Sequence, residues 1–255
     1  MNKHIIIIGG QRCGTSYLLK LFKLFKNFNI TKQIFPEPKY FLNKKLNYED
    51  YREKFFHKNC ESKSIYVEKS TSYYEYPNAI KNIDLTINKY LVILLLRDPI
   101  KRAISNFCFS KENNLEKLEI NEAFERELNP NTKKRKYHES TDPLSYLKRS
   151  KYLEIIKNIE KVITLERVVL LTSEELFLNP KKIFELLSKK NYFHIKNQRE
   201  NNLLNNLPRE KINFSVNNNF SISLKNEILE KLRKHFYEEY YLISNLYEID
   251  TSLWN

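Results

Sequence analysis

The chain has 255 residues, which is long enough for one sizeable hydrophobic core, and nothing in it requires a second domain. Its formal net charge is +13, but the lysines are spread along the chain without a helix-turn-helix, zinc or RNA-binding signature, which argues against a nucleic-acid partner. We interpret this charge mainly as a solvated surface, with attraction of an anionic ligand as the alternative. The longest apolar runs are too short to cross a bilayer and no signal peptide is recognisable, so we expect a soluble protein without a membrane span.

The cysteines are few and widely spaced, at Cys13, Cys60 and Cys108. An odd number at such spacing suits a reducing compartment and no disulfide framework, so we expect a cytoplasmic protein. Cys13 lies in a glycine-rich loop, where a small apolar residue is a more ordinary role for it than that of a nucleophile.

The first predicted element is a buried strand that runs into that loop. Ile5–Ile8 shows no polar alternation, as expected for a strand covered on both faces in a parallel sheet. Gly9 and Gly10 allow a tight turn and a close backbone approach, and after Gly14 the apolar spacing predicts a helix over Thr15–Phe28. The N–H groups at the start of this helix face whatever the loop encloses. The stretch therefore predicts a phosphate-binding loop, with an ordinary strand–turn–helix unit as the alternative.

The ligand class follows from a residue that the loop lacks. Counted from Gly9, the spacing is that of a Walker loop, but the position of its lysine holds Thr15. That lysine neutralises the β and γ phosphates of a nucleotide, whereas here the cation lies earlier, at Arg12. The loop therefore fits a 5′-phosphate that carries one further group better than a nucleoside triphosphate. A P-loop kinase or NTPase remains an alternative, and a non-catalytic basic protein that binds polyanions is another.

Three later strands each end in charged residues. They are predicted over Ile30–Phe35, Ser64–Val67 and Tyr90–Leu96. Glu37 follows the first, Lys69 the second and Arg97 the third, and such positions meet at one edge of a parallel sheet. Arg97 at a strand end and Ser105 two helical turns later can together bind one phosphate. Asp98 could instead be a Walker-B carboxylate, which would favour the NTPase alternative.

The remaining elements alternate between helix and strand. We predict helices over Glu116–Leu128, Leu144–Ile159, Lys181–Lys189 and Leu224–Leu246, a surface helix within residues 43–63, a strand at Val168–Leu171 and irregular structure over Asn201–Phe220. Such alternation predicts an α/β fold with three αβα layers around a central parallel sheet. We expect one domain over residues 1–255, with a mobile basic insertion at about 111–145 that includes the basic run at 133–136.

The motifs, taken in order, resemble those of sulfotransferases that use 3′-phosphoadenosine 5′-phosphosulfate (PAPS). Gly-Gly-Gln-Arg-Cys-Gly-Thr-Ser-Tyr-Leu at 9–18 looks like their 5′-phosphosulfate loop, and Arg97 to Ser105 has the spacing of their 3′-phosphate motif R-[DN]-P-x-x-R-x-x-S. Glu-Pro-Lys-Tyr-Phe at 37–41 and Glu-Lys-Ser-Thr-Ser-Tyr at 68–73 look like motifs of the glycan branch, and Ser150 and Tyr152 like a later S-x-Y. The resemblance covers nearly the whole chain and implies a fold like that of P-loop-containing nucleotide hydrolases.

The resemblance also implies roles for individual residues. Glu37 would be the general base, Lys69 the cation that meets the transferring group, and Arg12 a further catalytic cation. The donor would be bound by Gly10, Gln11, Arg12, Cys13, Gly14, Thr15, Ser16, Arg97 and Ser105. The reaction would move the sulfuryl group of PAPS to a hydroxyl or amine, with a carbohydrate as acceptor, 3′-phosphoadenosine 5′-phosphate (PAP) as product and no metal. Arg209 or Lys211 could close over the 3′-phosphate.

Two positions depart from the family pattern. Arg12 stands where many glycan and cytosolic members have lysine, and Thr71 stands where proline is usual. A guanidinium can bind two oxygens at once but gives up a proton less readily than an ammonium group. We therefore assign protonation of the leaving group to Lys69 and charge stabilisation to Arg12.

Overall fold

The computed structural model describes residues 2–33, 35–57, 65–129, 131, 142–209 and 223–254. Its centre is a five-stranded sheet in the order β2-β3-β1-β4-β5, and every neighbouring pair is parallel. The strands are β1 (Lys3–Gly9), β2 (Phe28–Ile30), β3 (Ile65–Lys69), β4 (Tyr90–Leu96) and β5 (Val168–Thr172). This confirms the predicted parallel sheet, and the carboxyl ends of all five strands meet at one edge.

Eleven α-helices within the described residues surround the sheet. They are α1 (Thr15–Lys23), α2 (Tyr48–Phe55), α3 (Pro77–Thr86), α4 (Pro99–Glu112), α5 (Ile120–Leu128), α6 (Tyr152–Glu160), α7 (Ser173–Leu178), α8 (Lys181–Lys189), α9 (Gln198–Asn205), α10 (Asn226–His235) and α11 (Tyr237–Tyr247). None of the helices in this part of the chain is long and apolar enough to cross a membrane.

The hydrophobic core lies on both faces of the sheet. Successive side chains of a strand point to opposite faces, so Ile5 and Ile7 pack with α1, α8 and α9, whereas Ile6 and Ile8 pack with α2, α3, α6 and α11. The run of isoleucine without polar alternation is explained by this two-sided burial. The three-layer αβα architecture expected from the sequence is therefore confirmed.

A smaller hydrophobic cluster lies beside the layered core. Helices α4, α5 and α10 share it through side chains such as Phe107, Phe124 and Leu232. Helix α4 starts directly after β4, so this cluster fixes a helix whose first residues belong to the edge where the strands end. Residues 130 and 132–141 of the predicted basic insertion, including the run at 133–136, lie outside the described residues.

The structure corrects the predicted boundary between the first helix and the second strand. Helix α1 ends at Lys23 rather than Phe28, and Phe28 begins β2 instead. The strand predicted for Ile30–Phe35 is wrong for the described residues 31–33 and 35, which form no strand, and Phe35 is 92% exposed. The apolar spacing could not distinguish a longer helix from a helix followed by a turn and a strand. Phe25 in the turn and Phe28 in the strand both pack against Phe184 of α8, so both positions are apolar.

Three other predicted elements have different bounds. The last helix is divided at Phe236 into α10 and α11, and the helix predicted from Leu144 begins at Tyr152 after a 3₁₀ turn over Lys148–Ser150. Residues 198–205, partly predicted to be irregular, form α9, which Asn197 caps by accepting the N–H of Glu200 at 2.9 Å. These errors share one cause, since apolar spacing locates a helix but does not mark where it begins and ends.

Candidate active site at the carboxyl ends of the strands

The loop between β1 and α1 passes close to the end of the neighbouring strand. The N–H of Gly10 donates to Leu95 O of β4 at 2.9 Å, and a Cβ on Gly10 would lie 3.0 Å from the same oxygen. Gly14 precedes α1 with φ +83, a left-handed conformation that favours glycine. The predicted strand, loop and helix are therefore present, and the first N–H groups of α1 open toward the loop without intrahelical acceptors.

Two arginines and one serine meet beside this loop. Arg97 Nη1 donates to the carbonyl oxygen of Arg12 at 3.0 Å, and Arg12 Nε donates to Ser105 Oγ of α4 at 3.1 Å. The Arg12 guanidinium also lies 5.1 Å from the centre of the Phe109 ring. Burial, followed by the nearby charge of Arg97, lowers the pKa of Arg12. Arg12 therefore lies next to Arg97 and Ser105, the two residues predicted to bind the 3′-phosphate. The two guanidinium groups make this region strongly positive.

Glu37, in the segment that follows β2, forms an ion pair with Lys69 at the end of β3. Lys69 Nζ lies 2.6 Å from Glu37 Oε1, and both side chains are only 12% exposed. The other carboxylate oxygen accepts the N–H of Thr71 at 2.8 Å, and the Thr71 hydroxyl lies 3.0 Å from both oxygens. Three donors therefore hold the Glu37 carboxylate in a half-enclosed position.

The departure at Thr71 has a direct structural consequence. Proline, the usual residue at this position in the resembled motif, has no N–H and no hydroxyl to donate. Thr71 supplies both to Glu37. The carboxylate thus keeps two hydrogen-bond donors that do not depend on Lys69.

A buried arginine that the sequence analysis did not select holds the side chain of Gln11. Arg149 donates to Gln11 Oε1, to Asn106 Oδ1 at 2.8 Å and to Glu75 Oε1 at 3.0 Å. Arg149 immediately precedes the S-x-Y motif, and its position next to Ser150 is the signal that could have identified it. Arg149, itself held by its ion pair with Glu75, therefore fixes the side of the loop that carries Gln11.

Arg102 and Asp98, both inside the predicted 3′-phosphate motif, have structural roles. Arg102 is completely buried and donates to Ser150 Oγ and to the carbonyl oxygen of Tyr146. Asp98 caps α4 by accepting the N–H of Lys101 at 2.7 Å, and its second oxygen accepts the Tyr240 hydroxyl at 3.3 Å. Asp98 is therefore a helix cap, which argues against the Walker-B interpretation. The described residues contain no group of His, Cys, Asp and Glu that could hold a metal ion.

The remaining loop residues differ in burial. Cys13 is fully buried, and burial raises the pKa of its thiol to about 11, which suits a packing residue rather than a nucleophile. Thr15 is buried and Ser16 is exposed at the start of α1. The Tyr17 hydroxyl donates to Pro208 O at 2.5 Å, which places the exposed Arg209 near α1. Lys211 lies outside the described residues.

Comparison with known proteins gives one consistent result. The family profile described as "Sulfotransferase domain" matches residues 2–242. A sulfotransferase structure from Alicyclobacillus acidocaldarius superimposes with a TM-score of 0.70 at 18% identity, covering 100% of this chain and 99% of that chain. The sulfotransferase domain from the curacin biosynthetic pathway gives 0.51 at 13% identity, covering 93% and 98%. That from the Synechococcus PCC 7002 olefin synthase gives 0.51 at 10%, covering 92% and 94%. No curated protein sequence matches significantly.

Proposed function

The chain belongs to the sulfotransferase domain family, and from this premise we propose that it transfers the sulfuryl group of PAPS to a hydroxyl or amine of an acceptor. As a sulfotransferase it is an enzyme, and sulfuryl transfer is favoured over both the kinase or NTPase alternative and the non-catalytic alternative. The observation that carries the proposal is the Glu37–Lys69 pair, a carboxylate and an ammonium group 2.6 Å apart at the edge of the sheet where the glycine loop lies.

The residues of the loop fit a phosphosulfate donor. Gly10 has no Cβ, which would lie 3.0 Å from Leu95 O, so the loop backbone can pass close to β4. The first N–H groups of α1 point toward the loop, where they can bind an anion. Arg12, Arg97 and Ser105 add two guanidinium groups and a hydroxyl next to it. Residues Gly10 to Ser16 would hold the 5′-phosphosulfate, and Arg97 with Ser105 the 3′-phosphate. Since Arg12 Nε contacts Ser105 Oγ, Arg12 can serve both phosphates.

Each charged group has a task in the transfer. When bound, PAPS supplies a sulfuryl group whose bond to the 5′-phosphate oxygen breaks as the acceptor oxygen or nitrogen bonds to sulfur. Glu37 accepts the proton that the acceptor loses. Lys69 and Arg12 stabilise the negative charge that develops on the leaving oxygen. Thr71 keeps the Glu37 carboxylate oriented when Lys69 turns from it toward that oxygen.

We propose a carbohydrate as the acceptor class. This rests on the likeness of residues 37–41 and 68–73 to motifs of the glycan branch. A sugar hydroxyl needs a base to remove its proton, and Glu37 with its Thr71 donors supplies one. Monosaccharides, oligosaccharides and an amine-bearing sugar, each incubated with PAPS and the purified enzyme, would identify the acceptor by mass spectrometry.

Calorimetric titration tests the donor site through Ser105. We expect PAP to bind without a metal and better than ADP or Mg·ATP. In Ser105→Ala, PAP binding weakens about 10- to 150-fold, because a hydrogen bond to a charged group contributes about 1.5–3 kcal/mol, whereas binding of ADP, which lacks the 3′-phosphate, changes much less.

Ser110→Ala is the matched control on the same helix. Its hydroxyl is also buried but donates to Pro143 O at 2.6 Å, so this variant loses stability and keeps the preference for PAP. If Mg·ATP binds the wild type as well as PAP does, or if Ser105→Ala weakens PAP and ADP equally, the assignment of the 3′-phosphate site is wrong.

A further inference from the structure

Glu68 is a completely buried carboxylate one residue before Lys69 at the end of β3. Its Oε1 accepts the hydroxyls of Ser70 and Tyr73, both at 2.7 Å, and its Oε2 accepts the hydroxyl of Tyr51 at 2.6 Å. The mechanism proposed above does not use Glu68. A buried carboxylate carries a large desolvation cost, so its three hydroxyl donors call for an explanation.

Two of these hydroxyls also hold the segment that carries Glu37. Ser70 Oγ accepts the N–H of Lys39 at 2.9 Å, and the Tyr73 hydroxyl oxygen accepts the N–H of Phe41 at 3.1 Å. A backbone N–H can only donate. Each hydroxyl oxygen therefore accepts the backbone N–H of the segment, and each hydroxyl donates its own proton to Glu68. Both series of hydrogen bonds thus run in one direction, from the segment to the carboxylate.

The segment held in this way has little regular structure of its own. Residues 35–39 form neither helix nor strand, and Lys39 has φ +50, in the left-handed region that side chains other than glycine disfavour. Regular backbone pairing does not fix this segment before the 3₁₀ turn at Tyr40–Leu42. Side chains from the end of β3 supply the fixed points instead, with Thr71 on Glu37 itself, Ser70 on Lys39 and Tyr73 on Phe41.

We infer that Glu68 is a positioning residue that sets the Glu37 carboxylate in place through Ser70 and Tyr73. This inference rests on the proposed role of Glu37 as the base. Glu68 acts as a common acceptor that orders two loops relative to each other, the one after β2 and the one after β3. Because Lys69 is the last residue of β3 and Thr71 belongs to the loop after it, the same network also sets the distance between the base and the cation.

Tyr51 provides a matched control for Tyr73. Both tyrosines are completely buried and both donate to Glu68 at nearly the same distance, 2.6 and 2.7 Å. Only the Tyr73 hydroxyl continues to a backbone N–H of the Glu37 segment in the contacts of the described residues. Tyr51→Phe and Tyr73→Phe therefore each remove one hydrogen bond to Glu68. Only Tyr73→Phe also removes a hydrogen bond to the segment that carries Glu37.

The two variants are compared by kinetics and by amide hydrogen exchange. In Tyr73→Phe we expect kcat at saturating PAPS and acceptor to fall about 10- to 100-fold, since small misplacements of a catalytic group have effects of this order. Exchange in peptides covering residues 38–42 becomes faster, and the Kd for PAP changes less than 3-fold. In Tyr51→Phe, kcat and exchange in these peptides change less than 3-fold.

A third variant, Glu68→Gln, separates the hydrogen-bonding role of the Glu68 side chain from its negative charge. The glutamine oxygen can keep both hydroxyl donors that lead to the segment, while its amide donates to the Tyr51 oxygen, so activity stays within about 10-fold of the wild type. Equal kcat in the two tyrosine variants, or unchanged exchange at 38–42 in Tyr73→Phe, would overturn the inference. If the wild type transfers no sulfuryl group, the proposed function fails, and hydrogen exchange alone then decides whether the network holds the segment.

Discussion

Replacing Glu37 by glutamine is expected to lower kcat about 10²- to 10⁴-fold, the range that general-base catalysis contributes. Glutamine has the same shape and can still accept the Thr71 N–H, but it cannot take up the proton of the acceptor. The carboxylate faces Lys69 and Thr71 at the edge of the sheet rather than the hydrophobic core, so the folded state persists. Steady-state kinetics with PAPS and the acceptor identified above measure the effect.

The control for this variant is Glu49→Gln. Glu49 is an exposed carboxylate on α2 that also has a cationic neighbour, Arg52, with 2.9 Å between the charged atoms. Its replacement leaves kcat unchanged, because exposed ion pairs contribute little. In Glu37→Gln the Kd for PAP should remain within about 3-fold of the wild type. A loss of kcat smaller than about 5-fold would show that Glu37 is not the base.

Replacing Lys69 by alanine is expected to lower kcat about 10²- to 10³-fold. This corresponds to about 2.7–4 kcal/mol of transition-state stabilisation, by analogy with the removal of one oxyanion donor. Binding of PAP changes little, because the charge that Lys69 stabilises develops mainly as the sulfur–oxygen bond breaks. Lys69→Arg keeps the charge and serves as the matched control, with a smaller loss than alanine.

A double-mutant cycle separates two roles of Lys69. If Lys69 only orients Glu37, the double variant Glu37→Gln/Lys69→Ala is no slower than Glu37→Gln alone. If Lys69 also stabilises the leaving oxygen, the double variant is slower than Glu37→Gln alone, and the two losses in activation free energy overlap only by the coupling of about 0.5–3 kcal/mol that is typical of residues in contact. We expect the double variant to be slower than Glu37→Gln alone, since Thr71 already supplies two hydrogen bonds to the same carboxylate. Full overlap of the two losses would contradict the assigned role of Lys69.

The long central strands and their order along the chain could be predicted from the sequence. Ile5–Ile8 and Tyr90–Leu96 are continuous apolar runs because they are covered on both faces by helices, as is typical of strands in a parallel sheet. The same logic places Lys69 and Arg97 at a common edge, because the carboxyl ends of parallel strands coincide, whereas Glu37 lies seven residues beyond the end of β2 and is brought there by its loop. Long buried elements are therefore the part of the fold that local patterns describe best.

Element boundaries were predicted less well, for a physical reason. Phe25 and Phe28 have helical spacing, yet the chain leaves the helix after Lys23 and begins β2 at Phe28. Both side chains are buried in either arrangement, so their hydrophobicity does not distinguish them. What decides is the pairing of β2 with β3, which joins Phe28 to Ile65 across 36 intervening residues of chain. Such long-range pairing leaves little trace in the local pattern.

The sequence by itself determined the fold class, the glycine loop and the strand ends that carry charged residues, because burial and backbone freedom constrain residue type at each of these positions. Only the tertiary structure decided which of these residues touch. It pairs Glu37 with Lys69, adds Thr71 to the carboxylate, joins Arg12 to Ser105, and buries Arg149 and Glu68 behind the site. These contacts depend on the direction of individual side chains, some of which lie as many as 138 residues apart in sequence. Residue type alone does not encode that direction.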